Sequence, residues 1–144
     1  MSDRRDKLHE EIEELFADLW QVPRFAGTHR GFRPTVDCFH TDDPHELTIV
    51  VELPGVDPAS LNVVAQERTL AISGERQRPR VSGAVYQQME IEYGPFMRQV
   101  RLSEDVDPQG ATAEYDRGVL TVRLPIVEKA KPATARFTIT VVRT

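Results

Sequence analysis

The chain has 144 residues, with 18 Lys and Arg against 23 Asp and Glu, a formal charge of -5. That length suits one domain with appendages and a core that needs no metal or disulfide, and the acid excess argues against nucleic acid or an anionic membrane as the main partner. The single cysteine, Cys38, excludes an intrachain disulfide and fits a reducing compartment, so the expected location is cytoplasmic.

The first segment, MSDRRDKLHEEIEELFADLW, lacks the uncharged apolar centre of a signal peptide. Nowhere do about 18 apolar residues run together, so neither export nor a membrane span is expected. Leu8, Ile12, Leu15, Phe16, Leu19 and Trp20 fall on one helical stripe opposite Glu10, Glu11, Glu13, Glu14 and Asp18, which predicts an amphipathic helix over residues 3 to 20. Its apolar face either packs on its own domain or is offered to other chains. PRFAGTHRGFRP follows without periodicity and reads as an irregular arm with exposed Phe25 and Phe32.

From Thr35 the period changes to that of strands. Short runs rich in Val, Ile, Thr, Tyr and Phe, broken at Pro, Gly and Asp, give an all-β sandwich pattern. Leu47, Ile49, Val51 and Leu53 alternate against Thr48, Val50 and Glu52, and the strand stops at LPGVDP. Leu61, Val63 and Ala65 share one face and Leu70 and Ile72 the next, with a turn near Glu67 and Arg68, which makes a hairpin. RQRPRVSGAV reads as a long excursion outside the sheets. AEYDRGVLTVRLPI reads as two strands meeting at Asp116, Arg117 and Gly118, with Leu120, Val122 and Leu124 on one face. EKAKPATAR reads as a linker reaching on the order of 30 Å when extended, and RFTITVVRT as a last β-branched strand.

The sequence holds no G-x-S-x-G, G-x-x-x-x-G-K, C-x-x-C or H-E-x-x-H, so no enzyme and no cofactor is expected. HTDDPHE, with His40, Asp42, Asp43 and His45, is the best metal candidate, yet such residues before a strand are commonly solvated, and no metal site is assigned. Asp37 and Phe39 do nothing to lower the thiol pKa of Cys38, which reads as a buried structural cysteine. The patch Arg76, Arg78 and Arg80 has no aromatic interleaving before Tyr86, weak support for nucleic acid.

Several stretches together resemble the small heat-shock protein (α-crystallin domain) family. AEYDRGVLTVRLPI, with Ala113, Gly118-Val119-Leu120 and Pro125, is similar to the family's A-x-x-x-n-G-V-L signature. VELPGVDPASLNV, LAISGER and YGPFMRQVRLSEDVD look like further family stretches in the expected order, although Ser103 stands where the family usually has Pro. Ile139-Thr140-Val141 fits the family's I-x-I/V motif.

The resemblance implies an arm over residues 1–33, an immunoglobulin-like β-sandwich over 34–127 and an extended C-terminal tail over 128–144. It implies a bacterial and plant type of dimer in which a strand around Val85, Tyr86 and Gln88 pairs with Thr35, Asp37 and Phe39 of a second chain, supported by Arg98. It also implies a groove along Val63, Ala65, Ala113 and Tyr115 that accepts Ile139 and Val141 of a neighbouring chain. The function expected is an ATP-independent holdase. Its partners are other copies of itself, as dimer and larger homo-oligomer, and partly unfolded client proteins caught by the groove and by the apolar stripe of the arm. The alternative is a co-chaperone-like adaptor that binds one folded partner. Phe137 and Val142 have no place in the motif.

Overall fold

Alternating apolar side chains in HELTIVVE and VLTVRLP can bury one face only if a second sheet lies over them. The computed structural model, which describes residues 31–66, 68–128 and 134–142, shows that arrangement. The strands in chain order are β1 (Val36–Asp42), β2 (His45–Glu52), β3 (Asn62–Gln66), β4 (Thr69–Arg76), β5 (Gly94–Arg101), β6 (Thr112–Asp116), β7 (Val119–Pro125), β8 (Thr134–Arg136) and β9 (Ile139–Val141). They form a five-stranded sheet in the order β1-β2-β7-β6-β9 and a four-stranded sheet in the order β5-β4-β3-β8. All pairs are antiparallel except β6 with β9. The predicted helix over 3 to 20, its stripe from Leu8 to Trp20, and Phe25 lie outside the described residues.

The core is the space between the sheets. From one side come Leu47, Ile49 and Val51 of β2, Leu120, Val122 and Leu124 of β7, and Ala113 and Tyr115 of β6; from the other come Val63, Ala65, Leu70, Ile72 and Phe96. Cross-strand register keeps these faces aligned: Ile49 sits opposite Val122, and Val63 opposite Ile72. Slipping any of these strands by one residue would turn its apolar set outward, so the burial itself fixes the register. Each fully buried Leu, Ile or Val contributes about 1.5–3 kcal/mol before ordering costs.

The structure corrects three expectations. Cys38 is not buried: it lies exposed on β1, which is the end strand of its sheet. A cysteine in a strand is covered only if a further element lies over it, and among the described residues none does. Phe32 is half-buried rather than exposed, packed against the core with its ring edge-on to Phe96 at 5.3 Å between centroids. Part of the presumed linker is a strand, since Thr134, Ala135 and Arg136 pair with Gln66, Ala65 and Val64. The excursion between β4 and β5 carries no strand: this is expected for RQRPRVSGAV, whereas the strand expected around Val85, Tyr86 and Gln88 is not formed within the single chain, where no partner edge lies beside it.

Candidate functional site

On one flank of the sandwich β3 and β6 are the last strands before the tail, and each has its outer backbone edge taken by a tail strand, β8 on β3 and β9 on β6. Between them lies a groove walled by Val63 and Ala65 on one side and by Ala113 and Tyr115 on the other, all buried. Small side chains at Ala65 and Ala113 leave room for a third element. That element is the C-terminal tail of the same chain.

The tail closes the groove by extending both sheets in turn. The three residues of β8 add to β3, and Phe137 then donates its amide to Val63 O at 2.9 Å. Arg136 holds the strand further by donating to Asn62 Oδ1. The chain crosses to the other sheet through Phe137 and Thr138, and β9 runs parallel to β6 with Ile139 opposite Ala113, Thr140 opposite Glu114 and Val141 opposite Tyr115. Val142 donates to Tyr115 O at 2.9 Å and fixes the end of the strand. Phe137 and Ile139 pack against the core, whereas Val141 stays 44% exposed. The two side chains that pack most deeply are thus Phe137 and Ile139, and Val142 serves through its backbone.

The wall of the groove is held by the turn between β6 and β7. Arg117 and Gly118 have φ of 50° and 80°, the left-handed pair of a two-residue type I′ hairpin. A Cβ on Gly118 would stand 3.0 Å from Pro54 Cα, so glycine is also required by a close approach of backbone. Leu53 N donates to Gly118 O at 2.7 Å, and the Tyr115 hydroxyl lies 2.6 Å from Leu53 O and 3.3 Å from Val56 O. Burial raises the Tyr115 phenol above its ordinary pKa, with the contact to Val56 opposing the shift, so the hydroxyl remains a donor at neutral pH. This stitching gives physical content to Ala113, Gly118 and Leu120 of the sequence signature, as room for the tail, a tight turn and core, with Tyr115 between them as a tether.

The residues expected at a chain-to-chain contact lie on another flank. Among the described residues β1 pairs only with β2 and its outer edge is open, and Phe39 on it is 49% exposed. Thr35 and Asp37 are exposed on the same segment. The excursion holds Val85, 89% exposed, and exposed Tyr86 and Gln88. Its turn, with Gly83 at φ 76°, is closed by Ala84 N donating to Val81 O. The single chain does not bring the excursion onto β1. Arg98 of β5 shares the inward face with Phe96 and Val100 and is half-buried; its Nε has no hydrogen-bond acceptor among the described residues.

The remaining candidates for chemistry stay apart. Asp42 and His45 pair across the β1–β2 hairpin, while His40 stands opposite Leu47. Among the described residues no group of three His, Cys, Asp or Glu is placed to hold a metal, and no helix is long and apolar enough to cross a membrane. What burial Cys38 has raises its thiol pKa, which works against thiolate chemistry.

Known proteins agree with this architecture. The chain is 43% identical over 96 residues to the 19.0 kDa class II heat shock protein of Oryza sativa subsp. japonica, covering 60% of this chain and 55% of that protein. It thus spans little more than half the length of the rice relative. It is 32% identical over 136 residues to the 16.9 kDa class I heat shock protein 1 of Triticum aestivum, covering 84% of this chain and 89% of that one. Its fold is similar to heat shock protein 16.0 from Schizosaccharomyces pombe, with a TM-score of 0.62 and 28% identity over 71% of this chain and 94% of that chain. Residues 40–141, which run from within β1 through the rest of both sheets, the groove and the tail strand, match the model of one family, and the chain belongs to it: the Hsp20/alpha crystallin family.

Proposed function

We propose that this small heat-shock protein is an ATP-independent holdase: it binds partly unfolded chains at exposed sheet edges and apolar surface and so slows their aggregation. The observation that carries this reading is the groove between β3 and β6, already occupied by an extended segment through backbone pairing and shallow apolar contacts. A groove that accepts one extended peptide by adding it as a strand accepts others, with selectivity set by the alternate side chains. No bond is made or broken, and the working cycle needs only that the occupant leave.

The occupant is built to leave. β8 and β9 are three residues each, and Val141 keeps much of its surface in water. A half-buried Ile or Val gains less than the roughly 1.5–3 kcal/mol of full burial, and the tail's ordering cost is subtracted from that. In a homo-oligomer the tail of one subunit fills the groove of a neighbour in the same way, and many weak tails acting on linked dimers hold through effective concentration. The dimer itself forms by strand exchange, with residues around Val85 to Glu90 of one chain pairing on the open edge of β1 of another, where Thr35, Asp37 and Phe39 wait. Arg98 supports that contact. The N-terminal arm, with Leu8, Ile12, Leu15, Phe16, Leu19, Trp20 and Phe25, adds apolar contacts to assembly and to clients in the cytoplasm.

The reading is tested by heating the full chain with a thermolabile client and separating the mixture by size. Client and chain are expected to elute together as a soluble complex, and deletion of residues 1–24 is expected to reduce the amount of client retained or the size of the assembly. Precipitation of the client while the chain elutes alone contradicts the proposal.

A further inference from the structure

Five side chains from separate parts of the sequence stack in alternation at the base of the excursion: Phe32, Arg76, Tyr93, Arg78 and Tyr86. The Arg76 guanidinium carbon lies 3.7 Å from the centre of the Phe32 ring and 5.5 Å from that of Tyr93. Arg78 continues the stack at 4.4 Å from Tyr93 and 5.3 Å from Tyr86. The lowest ring, Phe32, meets Phe96 at an interplanar angle of 78°, so the stack stands on the core.

The same arginines also grip backbone. Arg76 Nε donates to Glu92 O at 2.8 Å, its Nη2 donates to the same carbonyl, and its Nη1 donates to Pro54 O at 3.2 Å. Arg78 Nη2 donates to Ile91 O at 3.3 Å. A guanidinium can do both at once, because its flat faces stack on rings while its N–H groups donate around the rim; a lysine ammonium has no such plane. The limb leaving β4 is thereby clasped to the limb returning to β5, while Val81, Val85, Met89 and Ile91 remain exposed.

We propose that this ladder is a positioning device: it fixes the direction in which the excursion leaves its own sandwich and holds residues 81–91 out for a second copy of the chain. Because Phe32 is the bottom rung and lies at the end of the N-terminal arm, the exit of the arm and the presentation of the excursion are coupled through one stack. The second copy as occupant rests on the strand-exchange reading above; the fixed direction does not.

The test places nitroxide labels on the full chain at Val85→Cys and Thr112→Cys, with Cys38→Ser, and dilutes labelled chains into excess unlabelled ones so that only distances within a chain are read. The parent is expected to give one narrow distance. Arg76→Lys with Arg78→Lys, which keeps both charges and removes the stacking planes, is expected to broaden the distribution by about twofold and to weaken the dimer by about tenfold on dilution. Phe32→Leu, which keeps an apolar contact with Phe96, is expected to broaden it in the same direction. A broad distance in the parent, or one that stays narrow in both variants, overturns the ladder as a positioning device. A distance that broadens while the dimer holds unchanged upholds the fixed direction and overturns the second copy as its purpose, which is a failure of the strand-exchange reading.

Discussion

Replacing Ile139 and Val141 together by alanine is expected to reduce the mass of the assembly to that of dimers, measured by size exclusion with light scattering. Ile139 packs on the core beside Ala113, and Val141 stands opposite Tyr115, so the double change removes the side chains that fill the groove on the β6 side. Each contributes at most about 1.5–3 kcal/mol, and for Val141 less. The effect on mass is nevertheless large, because an oligomer held by linked tails loses the contribution of every tail at once. Dimers formed through the excursion and β1 use neither residue and are expected to persist. An unchanged mass would show that the tail serves only its own groove; faster amide exchange at Ala113 and Tyr115 would then locate its effect there.

Gly118→Val is expected to be the most damaging change in the sandwich that leaves core side chains intact. Residue 118 sits at φ 80°, where a side chain costs about 1–2 kcal/mol and a β-branched one more. The new Cβ would also press on Pro54 Cα at 3.0 Å and Pro54 Cβ at 3.3 Å. Pro54 cannot retreat without loosening Leu53, whose amide and carbonyl are tied to Gly118 O and the Tyr115 hydroxyl. The summed loss is about 3 kcal/mol or more, which lowers the thermal midpoint of a domain of this size by roughly 10–20 °C. Gly83→Val provides the comparison. It has a similar φ of 76°, but no atom lies within 4 Å of its would-be Cβ, and it sits in the excursion. It carries the same backbone strain but no clash, so its effect on the midpoint is expected to be clearly smaller, and equal shifts for the two variants would contradict the account of the turn.

The sandwich was legible because its signal is local. Period-two alternation in β2 and β7 states which face is buried, and Asp116, Arg117 and Gly118 state where the hairpin turns. The resemblance named Val63, Ala65, Ala113 and Tyr115 together, and in the single chain these four lie buried on β3 and β6, the two strands that the tail extends. Three things could not be read along the chain. Thr134, Ala135 and Arg136 have no strand-forming pattern, and β8 exists because β3 offers an open edge to whatever lies beside it. Cys38 is exposed because β1 ends its sheet, a fact of topology rather than of neighbours in sequence. Phe32 is half-buried because Arg76 and Phe96, far along the chain, are folded against it. The two-residue spacing of Ile139 and Val141 says which side chains share a face; it does not say whose groove they enter. In the single chain β9 lies on its own β6, with Phe137 and Ile139 packed against the core and Val141 exposed.

The central claim is aggregation suppression without nucleotide, and light scattering from a heated model client measures it most directly. With the full chain present and ATP absent, scattering is expected to fall as the ratio of chain to client rises, and added ATP is expected to change nothing. Scattering equal to that of the client heated alone, at every ratio, would contradict the account.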